Sequence, residues 1–218
     1  MARRRSSLTP QYEFDPRLGS TGRYVNKGTG KIVKASTVLS AMETQISQSQ
    51  AAVTNVSEQL AGGEIGLSEW QVAMRGQLTI IHTQTAALAK GGWASMAPAD
   101  WGAVGQITAK QSFYLQRFAQ QIQSGKQSLT NLAGKTSGQF LRRADLYAQA
   151  GNGTYHKMND RIARQKGLSE ERRILDSQAN HCTCCEGEAA RGWQPIGSLV
   201  EIGGCTCNQK CRCSKEYR

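Results

Sequence analysis

All seven cysteines of this chain lie between Cys182 and Cys213, and none occurs in the 181 residues before them. A fold crosslinked throughout would scatter its cysteines, and an odd number leaves at least one thiol unpaired in any disulfide scheme. At 218 residues the chain is long enough to bury a core without covalent staples. The thiols therefore serve one local purpose at the C-terminal side. The opening "MARRRSSLTP" has no apolar signal-peptide core. No stretch approaches the roughly 18 apolar residues of a membrane span. These features point to synthesis in a reducing cytosol, where grouped cysteines mean a metal more often than a disulfide.

The spacing favours zinc. Cys182-x-x-Cys185 lets one turn aim two sulfurs at a point, and Cys207, Cys211 and Cys213 supply a second pair after a connection of ribbon-type length. Spacing leaves the second pair open. Cys207 with Cys211 would form a knuckle, whereas Cys211 and Cys213 share a side if "CRC" is extended, and this pairing is preferred. Cys184 and Cys205 are extra thiols and His181 is a substitute ligand. Four thiolates around a divalent ion leave net negative charge, which Arg212, Lys210 and backbone amides are expected to offset. One or more disulfides remain the alternative. Trp193, Pro195, Ile196, Leu199 and Ile202, between the pairs, are candidates for a miniature core.

Upstream, the patterning is helical. Val38, Met42, Ile46, Val53, Val56 and Leu60 form one stripe, ended by "AGG" at 61–63. Ser68 and Gln71 form a capping-box pattern before Trp70, Met74, Leu78, Ile81 and Leu88. Pro98 suits the first turn of a third helix carrying Trp101, Val104, Leu115, Phe118 and Ile122. A further helical stretch is predicted over about 128–150, with an interruption at "GNGTY", and "LSEERRILD" (168–176) reads as a short helix capped by Ser169. In residues 20–35, "NKGTG" separates two β-prone pieces as a hairpin turn would. The expected fold is mainly α: a basic N-terminal arm and hairpin (1–35), an antiparallel helical body (36–167) and a small zinc-ribbon-like, Cys-rich module (168–218).

Charge follows the same division. Residues 1–35 hold eight basic against two acidic residues, 36–167 twelve against seven, and 168–218 seven of each. Arg3, Arg4 and Arg5 begin an arm that suits an anionic partner, nucleic acid or an acidic protein face. Trp70, Trp101 and Phe118 read as core, and His82 and His156 as packing or surface residues. There is no phosphate-binding glycine loop, no helical histidine pair and no nucleophile elbow. Asp100, Asp145 and Glu69 are isolated acids that caps or exposed faces explain.

The segment from Arg172 to Arg218 resembles the C-terminal module of tailed-phage head morphogenesis proteins, the Mu F-like minor capsid family. The matching features are Cys182 and Cys185, Gly192 and Pro195 in the middle, and the closing Cys211-Arg212-Cys213. "SEWQVAM", "ADWGAVG" and "SFYLQRFAQQI" also resemble phage structural proteins with this tail. The sequence departs from the family in lacking the His-Pro of a closing "HPNCRC". The resemblance implies a virion component made in the host cytoplasm and associated with portal, major capsid or neck proteins, with packaged DNA a further partner for the arm. Two other readings stand beside it: a zinc-containing nucleic-acid-binding protein, opposed by the neutral cysteine module, and an enzyme with a reactive cysteine, hinted at by His181 beside Cys182.

Overall fold

The computed structural model describes residues 12–15, 18, 23–207 and 211–218. It is mainly helical, with a small antiparallel sheet at each end of the chain. In the first sheet, β1 (Tyr12–Asp15), β2 (Arg23–Asn26) and β3 (Ile32–Val33) lie in that order. Asn26 shapes the β2–β3 turn by accepting from the amides of Gly28 and Thr29, so the expected hairpin gains a third strand. Tyr24 is buried from this sheet into a core shared with Val38, Met42, Leu88 and Tyr155.

Two long helices follow. On α1 (Ala35–Ala61), Val38, Met42, Val53 and Leu60 are buried, with Gln45, Ser49 and Ser57 between them. Ser57 accepts the indole N–H of Trp70 from α2 (Leu67–Lys90), so part of this polar character serves a buried tryptophan. The α2 cap lies two residues before the predicted Ser68: Gly66 is the N-cap, and its amide donates to Glu69 at 2.8 Å. Helix α3 (Pro98–Gln123) begins at Pro98 as read. Asp100 caps it through the Ala97 amide and also meets Lys90 at 3.1 Å and Arg161 at 2.8 Å. Burial raises the Asp100 carboxyl, but these donors outweigh it and leave it below its ordinary value. Trp70, Phe118 and Phe140 fill the centre of the body, with ring centroids 5.6–6.0 Å apart.

Four expectations are corrected. Trp101 is not core: it is 40% exposed and stacks on Trp93. Residues 128–137 form a turn closed by the Thr130–Thr136 bridge, with Gly134 in the left-handed region, and α4 spans only Gly138–Gln149. "GNGTY" lies within α5 (Gly151–Gln165). A β-carbon on Gly151 would approach Ile81 Cγ1 of α2 to 2.6 Å, so this glycine permits close helix packing and does not end a helix. Finally, the predicted helix at 168–176 is strand β4 (Glu170–Ile174). Glu171 and Arg173 point inward while their neighbours are half-exposed, a period of two written in charged residues.

The C-terminal module is built on β4. It is the central strand between β5 (Gln194–Pro195) and β6 (Ser214–Tyr217), both antiparallel to it, and α6 (Thr183–Ala190) follows Cys182. Of the proposed miniature core only Leu199 and Ile202 are buried; the guanidinium groups of Arg172 and Arg218 both lie over the Trp193 ring, and Ile196 packs on the core of the body. The module is fastened to α5. Lys215 bridges Asp160 at 2.8 Å and Glu171 at 2.7 Å with its side chain buried, and Tyr217 donates to Asp160 at 2.7 Å.

Candidate metal centre

Cys182 is the N-cap of α6, so the helix start presents its sulfur together with that of Cys185 one turn on. The extended segment before β6 brings Cys211 and Cys213 to the same place. Cys185 is the common member. Its sulfur is 3.5 Å from Cys207 Sγ and 3.6 Å from Cys211 Sγ. It also belongs to two sets whose ligand atoms lie within 4.8 Å of one another, Cys185 with Cys211 and Cys213, and Cys185 with Cys182 and Cys205. Sulfurs at the corners of a tetrahedron with about 2.3 Å metal–sulfur bonds stand roughly 3.8 Å apart. The C-terminal cysteine cluster could therefore bind a metal ion.

The two extra cysteines take a separate path. Cys184 and Cys205 form a disulfide, which withdraws Cys205 from the ligand set and leaves Cys182, Cys185, Cys207, Cys211 and Cys213 as free thiols. These five are the thiols read from spacing as candidate ligands. The bond also ties α6 to the loop before Cys207. The other predicted binding residues, Arg3, Arg4 and Arg5, lie outside the described residues.

The free thiols share protons unevenly. The Cys182 thiol is lowered to about 6, first by its hydrogen bond with Thr206 and then by the Cys185 amide at the helix start. That of Cys211 is lowered to about 4, chiefly by its contact with Cys213. Burial pushes Cys185 and Cys207 up, and the neighbouring Cys211 pushes Cys213 up. A divalent ion would replace the shared protons.

The nearby cation is not the expected one. Arg212 points outward, 3.0 Å from Asp176, and Lys210 lies outside the described residues. Arg173 of β4, 2% exposed, donates to Cys185 Sγ at 3.5 Å and Cys205 Sγ at 3.6 Å and also bonds the Val200 carbonyl. Its guanidinium provides permanent positive charge beneath the sulfurs. Asn152 of α5 holds the other side, donating to the Cys211 carbonyl at 2.9 Å. Sequence reasoning missed Arg173 because its strand was read as a helix, and Asn152 because "GNG" was read as a break.

His181 is oriented towards the sulfurs. A carbonyl only accepts, so the 2.8 Å contact of Nε2 with the Asp176 carbonyl places a proton on Nε2. Nδ1 then faces Cys213 Sγ at 3.7 Å. A metal-binding histidine has this arrangement, its far nitrogen bonded to a backbone carbonyl. His82 and His156 lie elsewhere and are buried; His82 Nδ1 meets Thr154 Oγ1 at 2.7 Å, joining α2 to α5.

Comparisons with protein-family models, with curated proteins and with solved structures find no match. No helix among the described residues is long and apolar enough to cross a membrane.

Proposed function

We propose that this chain is a non-enzymatic structural component of a tailed-phage head, associated with portal, major capsid or neck proteins, and that a structural zinc ion holds its C-terminal module. The observation that carries the zinc reading is the convergence of four thiols on Cys185 from two chain segments. Cys182, Cys185, Cys211 and Cys213 are the proposed ligands. Cys207 is the reserve thiol and His181 orients Cys213. Thiolates favour zinc over hard cations. A site closed by four protein ligands has no position for a reacting water, which favours a structural role over hydrolysis. The assembly role rests on the resemblance of the Cys-x-x-Cys and Cys-Arg-Cys segments to the phage module.

Elemental analysis with a thiol count under denaturing, non-reducing conditions tests the metal reading. The expected result is about one zinc per chain with five free thiols; no metal and fewer than two free thiols would overturn it. Mass spectrometry of gradient-purified particles tests the assembly role. Peptides of this chain should band with the major capsid protein, and their restriction to the unassembled fraction would overturn it.

A further inference from the structure

Between Asp100 and Asp145 the chain has no acidic residue, yet it carries Lys110, Arg117, Lys126, Lys135, Arg142 and Arg143. None of these six belongs to an ion pair among the described residues. In contrast, Lys27, Lys90, Lys157, Arg161, Lys166, Arg172, Arg191, Arg212, Lys215 and Arg218 all do. Of the eight cations of the body (36–167) outside these ion pairs, six lie in this acid-free stretch, the others being Arg75 and Arg164.

Three of the cations share a face with exposed rings. Lys110, Tyr114, Arg117 and Gln121 recur at i, i+4, i+7 and i+11 along α3, within a sector of about 60°. Arg143 reaches this sector from α4, donating to Gln121 Oε1 while its guanidinium lies 4.2 Å from the Phe118 ring centre. Phe113 is 56% exposed and Tyr114 44%. Their rings meet edge to face at 5.9 Å, and Arg117 lies over Phe113. Apolar rings usually turn inward, so an exposed aromatic pair beside unpaired guanidinium groups suits a partner with negative charge and flat faces. Nucleic acid has both: phosphates neutralised by Lys and Arg, and bases that stack on aromatic rings. An acidic peptide would match the charges and leave the rings uncovered.

We propose that this α3–α4 face binds nucleic acid, with phosphates on Lys110, Arg117 and Arg143 and unpaired bases on Phe113 and Tyr114. The site uses none of the cysteines and none of Arg3, Arg4 and Arg5, so it stands or falls independently of the zinc reading.

Fluorescence anisotropy of the full chain with labelled single strands of about twenty nucleotides and with a duplex of that length, from about 50 to 200 mM salt, tests it. Lys110→Glu with Arg117→Glu should weaken binding about tenfold or more at low salt and lower the single-strand salt slope by about 1.4, two phosphate contacts at roughly 0.7 each. Phe113→Ala with Tyr114→Ala should weaken single-strand binding about tenfold and spare the duplex. These side chains are exposed, so helicity measured by circular dichroism should not change. Wild-type affinity in both double variants, with loss only when Arg3, Arg4 and Arg5 are replaced by serine, would overturn the proposal. Binding to polyglutamate with none to either nucleic acid would overturn it in favour of an acidic protein partner.

Discussion

The helical body and the C-terminal module meet along α5 but are held together by different physics. In the body, Trp70, Met74, Leu78, Leu115, Phe118 and Phe140 are almost wholly buried against one another. Burial of apolar area stabilises such a core without help from outside the chain. The module's own cluster consists of Ile202 and cysteines, and charged side chains, Arg173, Glu171 and Lys215, fill positions that aliphatic residues would fill in the body. A core made of thiols and charges needs counter-charges to close. Apolar burial closes the body, Tyr217 of the module included, whereas the module combines a thiol cluster that could bind a metal ion with a buried ion pair to Asp160 of α5.

The sharpest way to break this contrast is to remove the central thiol. Cys185→Ser should abolish metal binding and unfold the module while the helical signal of the body persists. Structural zinc contributes on the order of 10 kcal/mol or more to small metal-dependent folds. Zinc analysis and amide exchange would check it, and collapse of the whole chain would show the two regions to be one cooperative unit. Trp70→Ala is the converse: about 3–5 kcal/mol lost from the body's unfolding free energy, read in urea, with zinc still bound by the native fraction.

Lys215→Met acts at the seam. It leaves Asp160 and Glu171 buried without their shared cation and should cost about 3–5 kcal/mol, measured by urea titration. A loss confined to the module would show that this ion pair stabilises it separately, and a loss from both regions would show that they unfold as one unit.

A smaller effect comes from His82. Burial, with Lys157 adding to it, lowers this histidine to about 4, so the folded body keeps it neutral. Above roughly pH 6.5 the ring is neutral in both states and contributes no pH dependence. Between there and about pH 4 only the unfolded chain takes the proton, so stability falls with acidification by up to about 1.4 kcal/mol per pH unit. His82→Gln should flatten that slope by this amount in urea titrations at pH 7 and pH 5. Smallest is Glu69→Ala, which deprives the Gly66 amide of its partner and should cost about 1 kcal/mol by thermal unfolding.

How far these regions could be read from sequence follows the same divide. The stripes of α1 and α2 and the Pro98 start of α3 were legible because apolar residues recur with helical period over more than twenty positions. Trp101 followed that period too, but in the first turn of α3 it is the neighbouring Asp100 that is buried, against Lys90 of α2, while Trp101 stays exposed and stacks on Trp93. Strand β4 was illegible because its inward residues, Glu171 and Arg173, have the polarity expected of an exposed face, and their burial depends on Lys215 and on sulfurs far along the chain. "GNG" misled for a related reason: the need for Gly151 lies in Ile81, seventy residues upstream. In the cysteine cluster the candidate thiols were legible by spacing, whereas the Cys184–Cys205 pairing and the contacts of Arg173 and Asn152 depend on tertiary placement.

The pairing of β4 with β6 has a consequence in time. Ile174 meets Ser214 and Glu171 meets Tyr217, so some forty residues of chain must loop out and return before the module's sheet closes. Helices joined by short turns find their partners sooner than strands separated by such a loop. The body should form first and offer Asp160 and Asn152 as a ready platform, while the cysteines close last and are the longest exposed to whichever metal or oxidant reaches them.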